Sequence, residues 1–184
     1  MRDLFETPPI PGLELREEIV SQSAEAKLVE RCLGLDLTPF QFQRWEGKRL
    51  TASFGWHYDF AAGSIAAAEP IPAWLCAVRD STAAAFGRDP GRFEQALVIR
   101  YDPGAGIGWH RDRPSFDEVI GISLASPAVM AFRRRRPDGR FDRVKLPLER
   151  RSAYLLSGEA RSGWQHGIAA HDSLRFSLTF RSLR

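Results

Sequence analysis

The sequence has little of what marks secreted, disulfide-stabilised or membrane proteins. Its 184 residues include two cysteines, Cys32 and Cys76, at a separation that fits no metal-binding pattern, so we interpret both as reduced core residues. No apolar run approaches the ~20 residues that cross a bilayer, and the first residues lack a secretory signal pattern. Repeats and low-complexity tracts are absent. We therefore predict a cytoplasmic protein that has no membrane partner.

What is present describes a packed domain with a mild positive charge. Hydrophobic residues make up 43% of the chain, the net charge is +3 and the isoelectric point is about 9.2. This apolar content suffices for a core and argues against disorder. The basic residues are overwhelmingly arginine, and their excess is a weak indication of a polyanionic partner. The length predicts a single compact domain, which we expect to be monomeric.

Periodicity predicts two helices followed by a series of short strands. A helix capped by Ser23 is predicted to run to about Leu33, where Gly34 ends it, and a second to run from Pro72 to about Phe86. From Phe93 onward, apolar runs alternate with turn residues. This pattern predicts a mainly β, α+β fold in which helices brace a sandwich or barrel. The predicted strands are 95–101, 107–112, 119–125, 128–134, 143–148, 152–157, 164–168 and 174–181.

Three side chains indicate a metal centre. His110 and Asp112 form a His-x-Asp pair, and His166 follows far along the chain. Residues i and i+2 of a strand project from one face, so the pair could reach one metal ion. Two histidines and one carboxylate form the facial triad of iron oxygenases, which leaves coordination positions open for a cosubstrate and O2. The residues predict an Fe(II)-dependent oxygenase.

The last predicted strand carries polar side chains on one face. Arg175, Ser177, Thr179 and Arg181 share that face, and the residues between them are apolar. A guanidinium pairs a carboxylate through a planar fork, which Lys cannot do. The strand therefore predicts a binding site for an anionic cosubstrate. A zinc hydrolase could use a similar ligand triad, but it would not need the arginine pair.

These motifs resemble those of a known family. The run from Val98 to Asp112, the run from Ile120 to Val129, and the C-terminal Arg-x-Ser-x-Thr-x-Arg are similar to motifs of the AlkB family of 2-oxoglutarate/Fe(II) dioxygenases. The resemblance covers roughly residues 49 to 184, and it implies a double-stranded β-helix, or jelly roll. On this basis, residues 1–92 are predicted to be an N-terminal extension with helices and a nucleotide-recognition lid, and residues 93–184 the catalytic core.

The resemblance also implies roles for individual residues. His110, Asp112 and His166 would hold iron, and Arg175 would pair with the far carboxylate of 2-oxoglutarate. Tyr101 would donate a hydrogen bond to the same group, and Arg181 would lie near the other end of the cosubstrate. Two positions depart from the family pattern, because Ile99 and Ser177 stand where asparagines are usual.

Two further segments are candidates for substrate contact. The predicted lid, about residues 49–62, contains Arg49 and four aromatic residues, of which Trp56 and Tyr58 are predicted to stack on a flipped base. Ordinary core packing with an edge strand is the alternative interpretation. Arg134 and Arg135 belong to a basic hairpin that either contacts phosphates or forms a solvated turn.

The resemblance implies oxidative removal of alkyl groups from N-alkylated nucleobases of DNA or RNA, in alkylation repair or RNA demethylation, with Fe(II), 2-oxoglutarate and O2. Two alternatives stay open at this stage. The same chemistry could act on a methylated protein side chain, or the chain could be an inactive nucleic-acid-binding module.

Overall fold

The computed structural model describes residues 10–42, 45–59 and 62–184. These residues form thirteen strands and three α-helices, with a 3-10 turn at Pro90–Arg92. The helices are α1 (Gln22–Leu33), α2 (Ala73–Ala85) and α3 (Gly158–Ser162). The strands are β1 (Leu13–Arg16), β2 (Thr38–Phe42), β3 (Trp45–Phe54), β4 (Trp56–Asp59), β5 (Ser64–Ala67), β6 (Gln95–Tyr101), β7 (Ile107–His110), β8 (Phe116–Leu124), β9 (Ala128–Arg135), β10 (Phe141–Leu148), β11 (Ala153–Leu156), β12 (Gln165–Ile168) and β13 (Arg175–Leu183).

Two antiparallel sheets face each other and make a jelly roll. The larger sheet has the order β1-β11-β8-β13-β6-β3-β2, and the smaller has the order β10-β9-β12-β7. Strands β4 and β5 pair as a separate hairpin. The mainly β fold braced by helices is therefore confirmed, and all eight strands predicted after residue 93 are present.

Helices α1 and α2 cover the outer side of the larger sheet. Phe176, Leu178 and Phe180 of β13 are fully buried there and belong to the same core as Leu28 of α1 and Leu75 of α2. The predicted alternation of β13 is thus confirmed, since its apolar residues meet the helices. None of the helices in the described ranges is long and apolar enough to cross a bilayer.

Both helices end where predicted, but the first begins earlier. Ser21, not Ser23, is the N-cap of α1, because the Oγ of Ser21 accepts a hydrogen bond from the amide of Ala24 at 3.2 Å. Gly34 ends this helix as predicted. In α2, Pro72 occupies the N-cap position and Phe86 the C-cap position.

The segment before residue 93 supplies strands that sequence patterns did not predict. Strand β1 lies beside β11, with Leu13 opposite Leu156, and β3 lies beside β6, with Leu50 opposite Arg100. The larger sheet therefore draws strands from both sides of residue 92. The N-terminal segment is part of the β-sandwich as well as the source of helices α1 and α2.

Candidate functional site

The three predicted metal ligands lie at the end of the smaller sheet. His110 on β7 and His166 on β12 are direct cross-strand partners, and their ring centroids are 4.3 Å apart. Oδ2 of Asp112 lies 3.6 Å from Nε2 of His166, and both side chains are buried. Residues separated by more than fifty positions in the chain thus meet at one point between the sheets.

The position of Asp112 differs from the sequence prediction. Strand β7 ends at His110, so Asp112 lies in the loop that follows and not on the strand. The loop is held by Arg161 of α3, whose Nη2 donates to the carbonyl oxygens of Arg113 and Phe116 at 2.5 and 2.7 Å. The alternation of a strand therefore does not explain why Asp112 reaches the site. Nothing in the sequence indicated the part played by Arg161.

The protonation states of these side chains suit metal binding. Burial, reinforced by the neighbouring His110, lowers the pKa of His166 to about 3. Burial also lowers the pKa of His110. Burial alone would raise the pKa of Asp112, but Arg181 and the two histidines hold it well below its ordinary value. At neutral pH the set therefore consists of two neutral imidazoles and one carboxylate, which are the forms that bind metals.

A backbone contact sets the tautomer of His110. Its Nδ1 lies 2.8 Å from the carbonyl oxygen of Gly108. A carbonyl can only accept, so in the neutral ring Nδ1 carries the proton and Nε2 keeps its lone pair. His110 is therefore oriented as a metal-ligating histidine usually is, with its second nitrogen bonded to a protein oxygen.

The donor set fits Fe(II), although it is not closed around an ion. Across the described ranges, no three His, Cys, Asp or Glu side chains are positioned to hold a metal as they stand. Within the site, Nδ1 of His166 is buried and has no hydrogen-bond partner among the described residues. This nitrogen is a site for a water molecule, and Nε2, on the other side of the ring, is the one that faces Oδ2 of Asp112. Two imidazoles with one carboxylate match the preference of non-haem Fe(II).

Arg175 offers a buried positive charge to an anion. The residue is 1% exposed and lies opposite Tyr101 on β6, with its guanidinium carbon 5.2 Å from the tyrosine ring centroid. Its Nε donates to Oγ of Ser123 at 3.1 Å, whereas its Nη1 is buried and has no hydrogen-bond partner in the described chain. No carboxylate of the described residues pairs with it. Burying a charge without a counterion is costly, so this arrangement fits a carboxylate ligand.

The other polar residues of β13 line the same face. Ser177 and Thr179 are buried between the sheets, because the residues that alternate with them contact the helices. Arg181 donates from Nε to Oδ1 of Asp112 at 3.0 Å and from Nη1 to Oε1 of Gln95 at 3.0 Å. Gln95 is buried, and sequence reasoning missed it because a lone glutamine in an apolar strand carries no motif.

Tyr154 is a second residue that sequence reasoning missed. It lies on β11 opposite Gly121 of β8, and a Cβ at position 121 would overlap the far end of its ring. Burial raises the pKa of Tyr154, and the negative charge of Asp112 raises it further. Arg175 and Arg181 act on the same hydroxyl in the opposite direction. Tyr154 therefore lies, with a neutral hydroxyl, among the predicted metal and cosubstrate residues.

The structure places the predicted lid residues around the same region. Arg49 of β3 is close enough to Tyr101, Asp112 and Arg181 to feel their charges, while burial lowers its pKa. Trp56 and Tyr58 lie half-buried on β4. The guanidinium of Arg113, the residue after Asp112, lies 4.6 Å from the ring centroid of Tyr58. Residues 60 and 61 of the predicted lid lie outside the described residues.

The two hairpin arginines, Arg134 and Arg135, differ in whether acidic residues of the protein pair with them. Arg134 pairs with Glu159 at 2.6 Å and with Asp142 at 3.4 Å, and it lies over the ring of Trp164. Arg135 is exposed and forms no ion pair with any residue that the structure describes. Arg134 is thus already neutralised by the protein, and Arg135 is open to a ligand.

Comparisons with known proteins agree with this geometry. A family model described as the 2OG-Fe(II) oxygenase superfamily matches residues 12–181. The chain is 34% identical over 179 residues to mouse tRNA (carboxymethyluridine(34)-5-O)-methyltransferase ALKBH8, covering 93% of this chain and 26% of that protein. It is 24% identical to the alpha-ketoglutarate-dependent dioxygenase AlkB of Salmonella typhimurium, covering 98% of this chain and 97% of that protein.

A solved structure supports the fold independently. The structure of OsALKBH1 superposes with a TM-score of 0.70 at 19% identity and covers 95% of this chain and 100% of that chain. The chain spans about a quarter of the length of the mouse relative.

Proposed function

This chain belongs to the 2OG-Fe(II) oxygenase superfamily and is AlkB-like, and we propose that it removes alkyl groups oxidatively from N-alkylated nucleobases in DNA or RNA. The membership makes it a 2-oxoglutarate-dependent dioxygenase. Its family implies Fe(II), 2-oxoglutarate and O2 as the reagents. We propose below which residues hold these reagents and what the substrate is.

We assign His110, Asp112 and His166 as the iron ligands. Iron bound there would supply the activation of O2 that oxidises the carbon next to nitrogen. Nε2 of His110 has a free lone pair, as argued above. Arg181 occupies Oδ1 of Asp112, so Oδ2, which faces His166, is the oxygen available to the metal. Asp112 would then bind through one oxygen only.

The observation that carries the proposal is the buried guanidinium of Arg175. It is fully enclosed, lacks a carboxylate partner and lies on the same face of β13 as Arg181, which contacts Asp112. A dicarboxylate that reached the metal could place its far carboxylate on Arg175. Ser123 and Tyr101 would hold the guanidinium in orientation from either side. This arrangement would position the cosubstrate and exclude water from its charged end.

Nucleobases are proposed as the target because of the lid and the relatives. Arg49, Trp56 and Tyr58 lie on β3 and β4, and the Tyr58 ring contacts Arg113 beside the Asp112 loop. Aromatic rings next to an active site are what an enzyme needs to hold an extruded base. The mouse relative, whose name refers to tRNA, supports a nucleic-acid substrate.

The test is a screen of methylated oligonucleotides with Fe(II) and 2-oxoglutarate. DNA and RNA strands carrying 1-methyladenine, 3-methylcytosine or ethenoadenine should lose the alkyl mark, with release of succinate. The single variants His110→Ala, Asp112→Ala and His166→Ala should abolish succinate release while they remain folded. Full activity with Zn(II), or succinate release by His110→Ala, would contradict the assignment. Activity on methylated peptides alone would favour the protein-demethylase alternative.

A further inference from the structure

The smaller sheet has an outer side that the active site does not use. Met130 and Phe132 of β9 point inward and pack in the core, as does His166 of β12. The residues that alternate with them therefore point away from the active site. On this side we define the outer face by six residues that project from β7, β9 and β10, namely Trp109, Arg133, Arg135, Phe141, Arg143 and Lys145.

The outer face is positively charged and carries no acidic residue that would neutralise this charge. Four of its six residues are cationic, and none of the outward positions on these strands carries an acidic residue. Arg133 and Arg143 stand directly opposite each other on β9 and β10. Like charges in that position destabilise a sheet. The nearby acidic residue Asp142 points inward and pairs with Arg134 and Arg136 instead.

Exposed aromatic rings are interleaved with these cations. Trp109 is 37% exposed and Phe141 is 36% exposed, and they are two of the four exposed large hydrophobic residues in the described part of the chain. The guanidinium carbon of Arg133 lies between them, 4.5 Å from the ring centroid of Trp109 and 4.9 Å from that of Phe141. The guanidinium carbon of Arg143 lies 5.7 Å from the centroid of the same Phe141 ring. The result is an alternating row of rings and guanidinium groups across the sheet.

A shallow groove of about 350 Å³ runs beside Trp109. Apart from Trp109, Ile107 and Ile168, its lining consists of glycine and alanine residues, including Ala131 and Gly167. The groove therefore offers space for a base beside the ring of Trp109.

We propose that the outer face binds single-stranded nucleic acid. Phosphates would contact Arg135, Arg143 and Lys145, and unpaired bases would stack on Trp109 and Phe141. Rings interleaved with cations are the general means of binding single strands without sequence preference. A duplex hides its base faces, and an acidic peptide would pair with the cations but make no use of the rings. This inference rests on the proposed function, to which it adds a second contact surface behind the active site.

The experiment measures binding of an unmodified single-stranded 20-mer by fluorescence anisotropy across a salt series. Each phosphate contact on a single strand contributes about 0.7 to the slope of log affinity against log salt concentration. Arg143→Ser/Lys145→Ser should therefore reduce that slope by about 1.4. Phe141→Ser should weaken binding by roughly 5- to 150-fold and leave the slope unchanged, because stacking releases no counterions. Phe141→Tyr should restore the affinity.

Matched controls come from helix α1, which covers the opposite side of the molecule. Lys27→Ser/Arg31→Ser removes the same number of exposed charges, and Leu33→Ser removes an exposed apolar side chain that is 50% accessible. Both should leave oligonucleotide affinity unchanged. Thermal unfolding of each variant verifies folding. Arg143→Ser should also raise the melting temperature, since it removes the like charge opposite Arg133.

The outcome separates this inference from the proposed function. Dealkylation of a methylated trinucleotide, too short to span both surfaces, reports on the active site and should be the same in the outer-face variants and the wild type. If that activity is absent but salt-dependent binding follows the outer-face variants, the outer-face inference stands and the proposed function fails. If outer-face and α1 variants lose affinity equally, or if duplex and acidic peptide bind as tightly as the single strand, the inference is overturned.

Discussion

Arg181 donates its Nε–H to Oδ1 of Asp112 at 3.0 Å, and both side chains are largely buried. The pair joins the last strand of the larger sheet to the loop after β7. Within this pair the carboxylate is ionised, since the arginine and the two histidines lower its pKa despite burial. Arg181 is thus the cation that compensates Asp112 when no metal is bound.

Replacing Arg181 with Met should destabilise the metal-free protein by about 3 kcal/mol, because it leaves a buried carboxylate with no cation. Urea unfolding in the presence of EDTA measures the loss. In an Asp112→Asn background, the same Arg181→Met change should cost much less, since no charge remains to compensate. Equal costs in the two backgrounds would show that the ion pair does not stabilise the fold.

Arg175→Met should weaken 2-oxoglutarate binding by about 2–5 kcal/mol, because the far carboxylate would lose a buried, charge-assisted pair. Arg175→Lys should lie between the wild type and Arg175→Met, since it keeps the charge and loses the planar fork. Calorimetric titration with Mn(II) in place of iron measures binding without turnover. Arg31→Lys on the exposed side of α1 is the control and should have no effect. An unchanged affinity in Arg175→Met would remove this residue from the cosubstrate site.

The sequence predicted those strands whose own residues show an apolar run bounded by turn residues. From residue 95 onward, apolar runs bounded by turn residues match eight strands, and the first is bounded at Gln95 and Tyr101 as predicted. Strand β1 was not predicted, and a strand near β3 was only the alternative interpretation of residues 49–62, because their partners β11 and β6 are far along the chain. A short segment such as Leu13–Arg16 becomes a strand only through that pairing, which local periodicity does not encode.

The site was predicted as a set of residues but not as a set of contacts. Motif spacing identified His110, Asp112 and His166, and the structure brings them together. The loop position of Asp112 depends on Arg161, which makes hydrogen bonds to backbone carbonyls 45 and 48 residues away. Gln95 and Tyr154 reach the site because of how β6 and β11 are aligned with their neighbouring strands. That alignment depends on contacts between distant parts of the chain.

Gly121→Ala should destabilise the fold by about 1–3 kcal/mol, because the added methyl group overlaps the ring of Tyr154 in a packed core. In a Tyr154→Leu background, which lacks the overlapping ring atoms, the same change should cost less. Chemical unfolding of the four proteins gives the coupling. Gly108→Ala, where no atom lies within 4 Å, is the control and should alter stability by less than about 0.5 kcal/mol. Additive losses would mean that Tyr154 moves aside freely.

Glu25 should make stability depend on pH. Burial alone would raise its pKa, but hydrogen bonds from Arg150 and the amide of Ala125 lower it below the ordinary value of 4.5. A lowered pKa in the folded state stabilises the protein above pH 4.5, and this contribution is lost as the pH falls through the folded-state value. Glu25→Gln should therefore cost about 2 kcal/mol at pH 7.

The difference between wild type and Glu25→Gln should shrink steadily below pH 4.5. Urea unfolding at a series of pH values between 7 and 3.5 measures it. Glu30→Gln, on the exposed side of the same helix, should change stability by less than about 0.5 kcal/mol throughout. A difference that stays constant with pH would mean that the Glu25 charge is not what stabilises the contact between α1 and the Arg150 turn.

The two lid aromatics should respond differently to replacement. Within the described parts of the chain, no ring or cation–π contact joins Trp56 to the Asp112 loop. Trp56→Ala should therefore lose ~1–3 kcal/mol of binding to a methylated oligonucleotide while uncoupled 2-oxoglutarate turnover persists. Tyr58 lies against Arg113, beside Asp112. Tyr58→Ala should therefore lower both oligonucleotide dealkylation and uncoupled turnover, because it frees the loop that carries a proposed iron ligand.

Tyr58→Phe is the matched control, since it keeps the ring under the guanidinium of Arg113 and removes only the hydroxyl. It should retain uncoupled turnover close to that of the wild type. Assays of succinate release with and without oligonucleotide distinguish the two effects for each variant. If Tyr58→Ala behaves like Trp56→Ala, with uncoupled turnover intact, then Tyr58 acts on the substrate alone. The contact with Arg113 would then have no part in holding Asp112 in place.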